Sequence, residues 1–396
     1  MTSAGPGRRP PRLASRFGGG DGIRATARAF ELVSRQGPLS RSALRRTLDV
    51  GLSTVTAAVQ ELLEHGYVVE AGQAASTGGR RPQLLDVAPG LGGVLAVDIG
   101  GSNLRFAAAD LRGELSYAET LPTAEAVASR SLREVVLDEL KAARAHLDGP
   151  ARAVAVSIAG IVHPRTRSVT RVDNVPGWTE GDDLSWLEPL APLVLIDNEA
   201  NLGALGEQRA FGAEAADDIL FVALGAGVGG GLVLGGSLYR GAAGAAGEIG
   251  MLRRGHQPDE LERVASTRAL VAAYAQRAGG RPAVTAEEVV ARAAAGDPDA
   301  HTALSAVLEE LAVGIANAVI ILNPELVVVG GGLARADERV LEPLRAKITA
   351  LVPSPPEIVL GRLGTEAALV GAAGWAADVV VQRFVSELHR RAVVVA

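Results

Sequence analysis

Apolar residues recur at helical spacing in the first part of the chain. One face of the first predicted helix comprises Ile23, Ala27, Phe30 and Val33. Gly37 and Pro38 end this helix, and Ser40 is a suitable N-cap for a second, short helix. A third helix follows at about residues 53–65. The turn before it contains Gly51, for which we predict a left-handed conformation.

Residues 66–87 then predict a strand, a glycine-rich turn and a second strand, with Arg80 and Arg81 at the tip of the turn. Three helices and a β-hairpin predict a winged helix-turn-helix over residues 21–88. Short hydroxyl side chains open the exposed face of the third helix, where they suit close approach to phosphates and base edges. The candidate DNA-binding residues are Ser53, Thr54, Thr56, Gln60, Arg80 and Arg81. The same pattern also fits a plain three-helix bundle with Ser53 as an N-cap; the hairpin favours DNA binding.

Three glycine-rich turns adjoin apolar strands in the rest of the chain. Two lie between paired strands, in residues 94–110 and 217–241, and the third ends the strand in 324–334. Such turns let backbone amides approach a phosphate closely. The candidate phosphate-loop residues are Asp98, Gly100, Gly101, Ser102, Gly225, Gly227, Gly330, Gly331 and Gly332. Each turn alone is weak evidence, but the three together predict a two-lobed α/β body over residues 89–396.

Charge is distributed unevenly along the chain. Residues 1–87 hold 12 Arg, no Lys and 7 acidic residues, a balance of +5, so the remainder carries −11 of the net charge of −6. This favours a polyanionic partner for the first part alone. Residues 1–20 are rich in Pro, Gly and Arg and predict a disordered basic arm. The chain has no cysteine, which excludes disulfides and Cys-ligated zinc. Without a signal segment or a long apolar run, we expect a cytoplasmic protein and no membrane partner.

Five motifs together resemble the ROK family (repressors, open reading frames, kinases): STGGRRPQLL, DIGGSN, DNEANLGALGE, GAAGAAGEIG and NPELVVVGGG. The resemblance covers nearly the whole chain from about residue 23. It implies an actin-like, ribonuclease-H-type sugar-kinase fold behind the DNA-binding head. Family members with such a head are transcriptional regulators, mostly repressors, that respond to sugars or sugar phosphates. The expected partners are operator DNA, a sugar or sugar-phosphate effector, and a second copy of the chain, as a homodimer or a dimer of dimers.

The resemblance also marks departures from the family's kinases. Those kinases usually read Asn-Asp-Ala-Asn, with Asp as the catalytic base, where this chain has Glu199. Glu carries its carboxylate one methylene further from the backbone than Asp does, and displacing a catalytic group by about 1 Å can lower the rate roughly a hundredfold. Ala226 replaces a Thr of the second glycine turn, Met251 replaces a His of the zinc and sugar site, and the cysteine loop for zinc is missing. The expected sugar-binding residues are Asn174, Asn198, Glu199, Glu248 and Glu262.

These observations favour a sugar-responsive regulator that is not an enzyme and needs no cofactor and no zinc. Two alternatives stay open: a slow or bifunctional sugar kinase with Glu199 as its base, and a DNA-binding protein whose body serves only for dimerisation. Whether ATP and Mg²⁺ bind is also left open. A C-terminal helix over about residues 372–391 is expected to pack on the body or on the N-terminal part near the linker.

Overall fold

The computed structural model places the chain in two compact units. One contains the residues up to 88 together with those from 382 onwards, and the other contains residues 89–381. The structure describes residues 21–73, 81–172, 175–178, 181–253, 259–279, 285–332 and 338–395. The predicted basic arm therefore lies outside the described residues.

The first unit begins with three helices and a small antiparallel sheet. Its elements are α1 (Asp21–Gln36), β1 (Leu39–Ser40), α2 (Arg41–Leu48), α3 (Leu52–Glu64), β2 (Val68–Gln73) and β3 (Gln83–Val87). The strands lie in the order β1-β3-β2. The predicted apolar faces meet in a core that contains the fully buried Phe30, Leu44, Leu62 and Leu85. Burial of such side chains contributes roughly 1.5–3 kcal/mol each to folding.

The turn between α2 and α3 corrects one prediction. Ser40 caps α2 as expected, since its hydroxyl accepts a hydrogen bond from the Ala43 N–H. The left-handed residue, however, is Asp49 with φ 53°, whereas Gly51 has φ −63° and precedes α3 in an extended conformation. Asp tolerates the left-handed region better than most residues, and here its N–H donates to the Arg45 carbonyl. The prediction for Gly51 was therefore wrong.

The second unit opens with a five-stranded sheet. Its elements are β4 (Gly93–Ile99), β5 (Asn103–Ala109), β6 (Leu115–Pro122), α4 (Thr123–Ala126), α5 (Leu132–Arg144), β7 (Ala151–Ile158), β8 (Ile161–Val162), β9 (Val169–Thr170) and β10 (Val194–Asn198). The sheet order is β10-β7-β4-β5-β6, and β8 pairs with β9 separately. Strands β4, β7 and β10 are parallel, while β5 and β6 return antiparallel.

The second sheet repeats this design. Its elements are α6 (Glu199–Phe211), β11 (Ile219–Leu224), β12 (Val228–Leu234), β13 (Ser237–Leu238), α7 (Glu262–Ala265), α8 (Thr267–Arg277), α9 (Ala286–Ala294), α10 (Pro298–Leu322), β14 (Leu326–Gly330), α11 (Glu338–Leu351) and β15 (Glu357–Leu360). The order β13-β12-β11-β14-β15 again joins an antiparallel meander to two parallel strands. Two sheets of the same topology are what the ribonuclease-H-type prediction requires.

The last helix, α12 (Ala367–Val395), belongs to both units. Its first part packs on α6 within the second unit, where a Cβ on Gly371 would lie 1.8 Å from the Leu202 carbonyl oxygen, so only glycine fits. From Gln382 onwards it belongs to the first unit, where the Phe384 ring meets those of Phe30 and Tyr67 edge to face. The helix was predicted, but its division between the units was not.

Two helices, α10 and α12, are long and apolar enough to cross a membrane by length and composition. More than half of each apolar window is buried inside the protein. Core helices of soluble proteins meet the same criteria, and α10 contributes a long run of residues to the core of the second lobe.

Candidate functional site

The junction of β10 and α6 holds the residue at the catalytic-base position. Asn198 caps α6: its side-chain oxygen accepts hydrogen bonds from the N–H groups of Ala200 (2.8 Å) and Asn201 (3.1 Å). Its amide nitrogen donates to the Gly160 carbonyl at 2.9 Å. The predicted sugar ligand Asn198 thus spends most of its hydrogen-bonding capacity on holding the helix start, which fixes the position of Glu199 beside it.

Glu199 interacts with a second carboxylate, that of Asp98. Burial and, after it, the charge of Asp98 raise the pKa of Glu199, Arg105 lowers it, and the net result is a pKa of about 7. Asp98 accepts a hydrogen bond from the Arg105 guanidinium at 2.9 Å and another from the Ser157 hydroxyl at 2.7 Å. Burial also raises the pKa of Asp98, against these two hydrogen bonds. Glu199 therefore shares one cation with a second carboxylate.

Asp197, one residue before Asn198, faces away from this group. Its buried carboxylate pairs with the Arg240 Nε at 2.5 Å and accepts from the Asn201 side chain at 2.9 Å. The Arg240 guanidinium also lies 5.4 Å from the centre of the Trp375 ring. Arg240 begins the segment that leads to Glu248, so the Asp197–Arg240 pair anchors the start of that segment.

The predicted sugar ligand Glu262, at the start of α7, contacts the start of β12. The Val228 N–H donates to a Glu262 carboxylate oxygen at 3.1 Å. A Cβ on Gly227 would lie 2.4 Å from that oxygen, so a side chain there would push the Glu262 carboxylate aside. Two residues further, a Cβ on Gly229 would lie 3.1 Å from the side chain of Ala200, the neighbour of Glu199. The start of β12 therefore contacts both Glu262 and the residue that follows Glu199.

Glu248 approaches the same strand from the other side. A Cβ on Gly230 would lie 2.5 Å from the Gly247 carbonyl oxygen, which places the residue before Glu248 directly against β12. Burial raises the pKa of Glu248, Arg171 lowers it, and the Glu262 carboxylate raises it. The segments that carry three of the five predicted sugar ligands, Glu199, Glu248 and Glu262, thus pack against β12. Asn174 lies outside the described residues.

The predicted phosphate loops are partly committed to internal contacts. The Gly225 carbonyl accepts from both the N–H and the hydroxyl of Thr267. Gly331 has φ 83°, and a Cβ there would lie 2.6 Å from the Leu224 carbonyl oxygen; one on Gly330 would lie 2.5 Å from the Phe221 ring. Packing therefore accounts for glycine at both positions.

The first glycine turn is more open. The Gly100 N–H donates to the Asn103 carbonyl and closes the turn, while its own carbonyl accepts from the Thr123 hydroxyl. Gly101 and Ser102 at the tip are exposed, as is required of groups that could meet a ligand. Gly332 in the third turn is partly exposed. Among the described residues, no group of three or more His, Asp or Glu side chains could hold a metal ion.

A second candidate surface lies on the first unit. Ser53, Thr56 and Gln60 are exposed on α3, and Thr54 is partly buried. Gln60 donates to Glu64 at 2.8 Å, a contact that uses one of the two N–H donors of its amide. Arg81 is exposed, whereas Arg80 lies outside the described residues.

The sequence reasoning missed two residues of this surface. Arg45 and Arg46 are both exposed on α2, the helix that precedes α3. In helix-turn-helix proteins the first of the paired helices crosses the DNA backbone, so cations on it are placed to contact phosphates. The signal that could have found them is the Arg-rich segment RSALRR over residues 41–46.

Comparisons with known proteins agree with this architecture. The ROK family model matches residues 94–379. The xylose repressor of Caldicellulosiruptor bescii is 29% identical over 333 residues, covering 78% of this chain and 83% of that protein. Among solved structures, a ROK family glucokinase from Streptomyces griseus, in complex with glucose and AMPPNP, is 28% identical with a TM-score of 0.61; it covers 72% of this chain and 99% of that one.

A ROK family transcriptional regulator, a homologue of the E. coli MLC protein, shares the fold over 93% of this chain and 99% of its own, with a TM-score of 0.72 at 22% identity. The coverage extends beyond the 72% of this chain that the glucokinase matches. The sugar-kinase-like α/β fold predicted for the body is thereby confirmed.

Proposed function

The chain belongs to the ROK family, and from this premise we propose that it is a transcriptional regulator, most simply a repressor, that binds operator DNA and responds to a sugar or sugar phosphate without phosphorylating it. The first unit is the winged helix-turn-helix of this proposal, and the second binds the effector. A cytoplasmic homodimer or dimer of dimers fits a protein that reads two operator half-sites.

The observation that carries the proposal is the first unit itself. Three helices and a three-stranded sheet precede the family domain, and α3 presents Ser53, Thr56 and Gln60 to solvent. Arg45, Arg46 and Arg81 of the same unit are also exposed and add positive charge to it. Hydroxyls and an amide can contact base edges, and the arginines can contact phosphates.

The cleft supports binding more than catalysis. The segments that carry Glu199, Glu248 and Glu262 all pack against β12, and carboxylates are good acceptors for sugar hydroxyls. The second glycine turn lacks the hydroxyl that kinases of the family usually carry, since Ala226 stands there. The xylose repressor among the relatives makes xylose the first sugar to test.

Fluorescence anisotropy of the full chain on its own upstream DNA, titrated with sugars and sugar phosphates, tests the proposal. We expect tight, salt-sensitive binding that one sugar shifts by about 5- to 150-fold. The paired variant Arg80→Ala/Arg81→Ala is the control with weakened DNA binding. Binding that every sugar leaves unchanged would support a body that serves only for dimerisation, and no specific DNA binding would contradict the proposal.

One observation favours the alternative of a slow sugar kinase. A carboxylate with a pKa near 7 is well suited to act as a general base at neutral pH, and Glu199 has such a pKa. ATP-dependent phosphorylation of a sugar, abolished by Glu199→Gln, would establish that activity. The matched control is Glu188→Gln, an exposed residue of the same unit.

A further inference from the structure

Arg105 lies directly opposite Asp98 on neighbouring antiparallel strands, and the two residues are register partners of β5 and β4. The Arg105 Nη1 donates to one carboxylate oxygen of Asp98 at 2.9 Å, and the Ser157 hydroxyl donates to the other at 2.7 Å. The Asp98 side chain is only 1% exposed and that of Arg105 only 14%. Both oxygens of the carboxylate are therefore engaged inside the protein.

A sugar-kinase fold implies a magnesium ion with its nucleotide near this carboxylate. Mg²⁺ requires nearly octahedral oxygen ligands at about 2.0–2.1 Å and usually keeps several waters. Both oxygens of Asp98 already accept a hydrogen bond, from Arg105 and from Ser157, and with only 1% of its side chain exposed the carboxylate is closed to an ion that keeps several waters. A fixed positive charge at 2.9 Å also repels a divalent cation. The residues present do not fit the ion.

The charges of Asp98, Glu199 and Arg105 also argue against a metal ion here. Asp98 and Glu199 are two carboxylates in mutual repulsion, and Arg105 is the cation that acts on both. A buried carboxylate needs a paired cation, which a protein can supply as a metal ion or as a side chain. A guanidinium has five N–H donors, of which one is committed to Asp98, so others remain for Glu199 or for a ligand oxygen.

We infer that Arg105 is a built-in cation that takes the place of a divalent metal ion at Asp98, so that the cleft binds its ligand without metal or nucleotide. The statement about the ligand rests on the proposed sugar-binding function. The statement about the cation concerns Arg105 and Asp98 alone and can be tested without any sugar.

Manganese is the probe for the cation. Binding of Mn²⁺ to the full chain is followed by electron paramagnetic resonance for the wild type, Asp98→Asn and Arg105→Ala. We expect the wild type and Asp98→Asn to give the same signal from bound Mn²⁺, because Asp98 does not bind the ion. A wild-type site abolished by Asp98→Asn would overturn the inference, and this comparison decides even if Arg105→Ala does not fold.

Thermal unfolding tests whether the two cations are interchangeable. Arg105→Ala leaves Asp98 buried without its partner, so we expect a lower melting temperature, which millimolar Mn²⁺ raises again by a few degrees. The double variant Asp98→Asn/Arg105→Ala should not respond to Mn²⁺. If Mn²⁺ does not raise the melting temperature of Arg105→Ala, Arg105 serves only as a packing and hydrogen-bonding partner and the inference is wrong.

Sugar titrations in EDTA and in Mg²⁺ with a non-hydrolysable ATP analogue complete the test. Equal affinity in both supports the inference, and binding that requires Mg²⁺ and nucleotide contradicts it. A chain that binds no sugar in either condition contradicts the proposed function instead, and the Mn²⁺ measurements still decide the role of Arg105.

Discussion

The ring of Phe384, near the end of the chain, meets the ring of Phe30, near its beginning, at a centroid distance of 6.1 Å and an angle of 89°. Tyr67 completes the group, 5.4 Å from Phe30 and 5.9 Å from Phe384. Edge-to-face contacts of this kind contribute about 0.5–1.5 kcal/mol beyond the area they bury. The core of the first unit thus depends on a residue more than 350 positions away in the sequence.

Phe384→Ala should destabilise the first unit by roughly 1–3 kcal/mol, because it removes a partly buried aromatic side chain from its contacts with Phe30 and Tyr67. Chemical unfolding measures the loss, and DNA binding should weaken while sugar binding persists. Arg383→Ala, the exposed neighbouring residue, is the control and should change neither. An unchanged unfolding curve for Phe384→Ala would show that the aromatic group is dispensable.

Glu199 gives the cleft a definite pH dependence. Its pKa is about 7 in the folded protein against an ordinary value of 4.5, so the folded state binds the proton more tightly. The stability contributed by this proton is complete below about pH 4.5 and is lost as the pH rises through about 7. At pH 8 the free energy of unfolding of Glu199→Gln should therefore exceed that of the wild type by on the order of 1 kcal/mol, and its melting temperature should be higher. At pH 5.5 the difference should be smaller.

The control for this prediction is Glu188→Gln, an exposed carboxylate of the same unit. Its melting temperature should follow that of the wild type at both values of pH. If Glu199→Gln and the wild type differ in melting temperature by the same amount at pH 5.5 and pH 8, Glu199 does not titrate between these pH values.

The second glycine turn offers a matched pair of substitutions. In Gly227→Ala the new Cβ would lie 2.4 Å from the Glu262 carboxylate, whereas at Gly225 nothing lies within 4 Å of the new atom. Gly227→Ala should displace Glu262 and weaken sugar binding about tenfold or more, which corresponds to about 1.4 kcal/mol. Gly225→Ala should bind sugar normally. Calorimetric titration compares the two, and equal affinities would remove Glu262 from the binding site.

Arg240→Ala should leave the buried Asp197 carboxylate without its cation. Removing one partner of a buried pair costs about 3–5 kcal/mol, and the partial exposure of Arg240 places the loss at the lower end. Urea unfolding measures it. Lys141→Ala breaks an exposed pair with Asp138 and should cost less than about 1 kcal/mol. If the two variants lose similar amounts of unfolding free energy, the Asp197–Arg240 pair contributes no more to stability than a surface pair does.

Arg45→Ala and Arg46→Ala should each weaken DNA binding about equally on specific and non-specific DNA. If each arginine contacts one phosphate, the slope of log K against log salt should fall by about 1 for each variant. Arg144→Ala, on the exposed side of α5 in the second unit, is the control. An unchanged slope would place the α2 arginines away from the phosphates.

The sequence predicted what depends on local pattern. The cap at Ser40 and the strands that flank Gly100 and Gly101 both follow from neighbouring residues. Arg105 escaped notice because an arginine within an apolar strand gains its meaning only from the register that places it opposite Asp98. The role of Asn198 as a helix cap likewise became visible only once the start of α6 was known.

Contacts between distant parts of the chain were beyond such reasoning. Spacing along the sequence cannot show that Phe384 packs with Phe30, or that Arg240 neutralises Asp197. Asp49 and Gly51 lie in the same turn, and the choice of which becomes left-handed depends on how α2 ends.

The division of α12 between the two units has a consequence for synthesis on the ribosome. The first unit includes the residues from 382 onwards, so it cannot be completed until the whole second unit has been translated. A nascent chain stalled anywhere in residues 89–381 carries α1, α2 and α3 without the end of the helix that completes their unit. If the chain is the repressor proposed above, we expect premature stop codons within that stretch to yield products that do not bind its operator, so truncation would raise expression of the genes it controls instead of releasing an unregulated DNA-binding fragment.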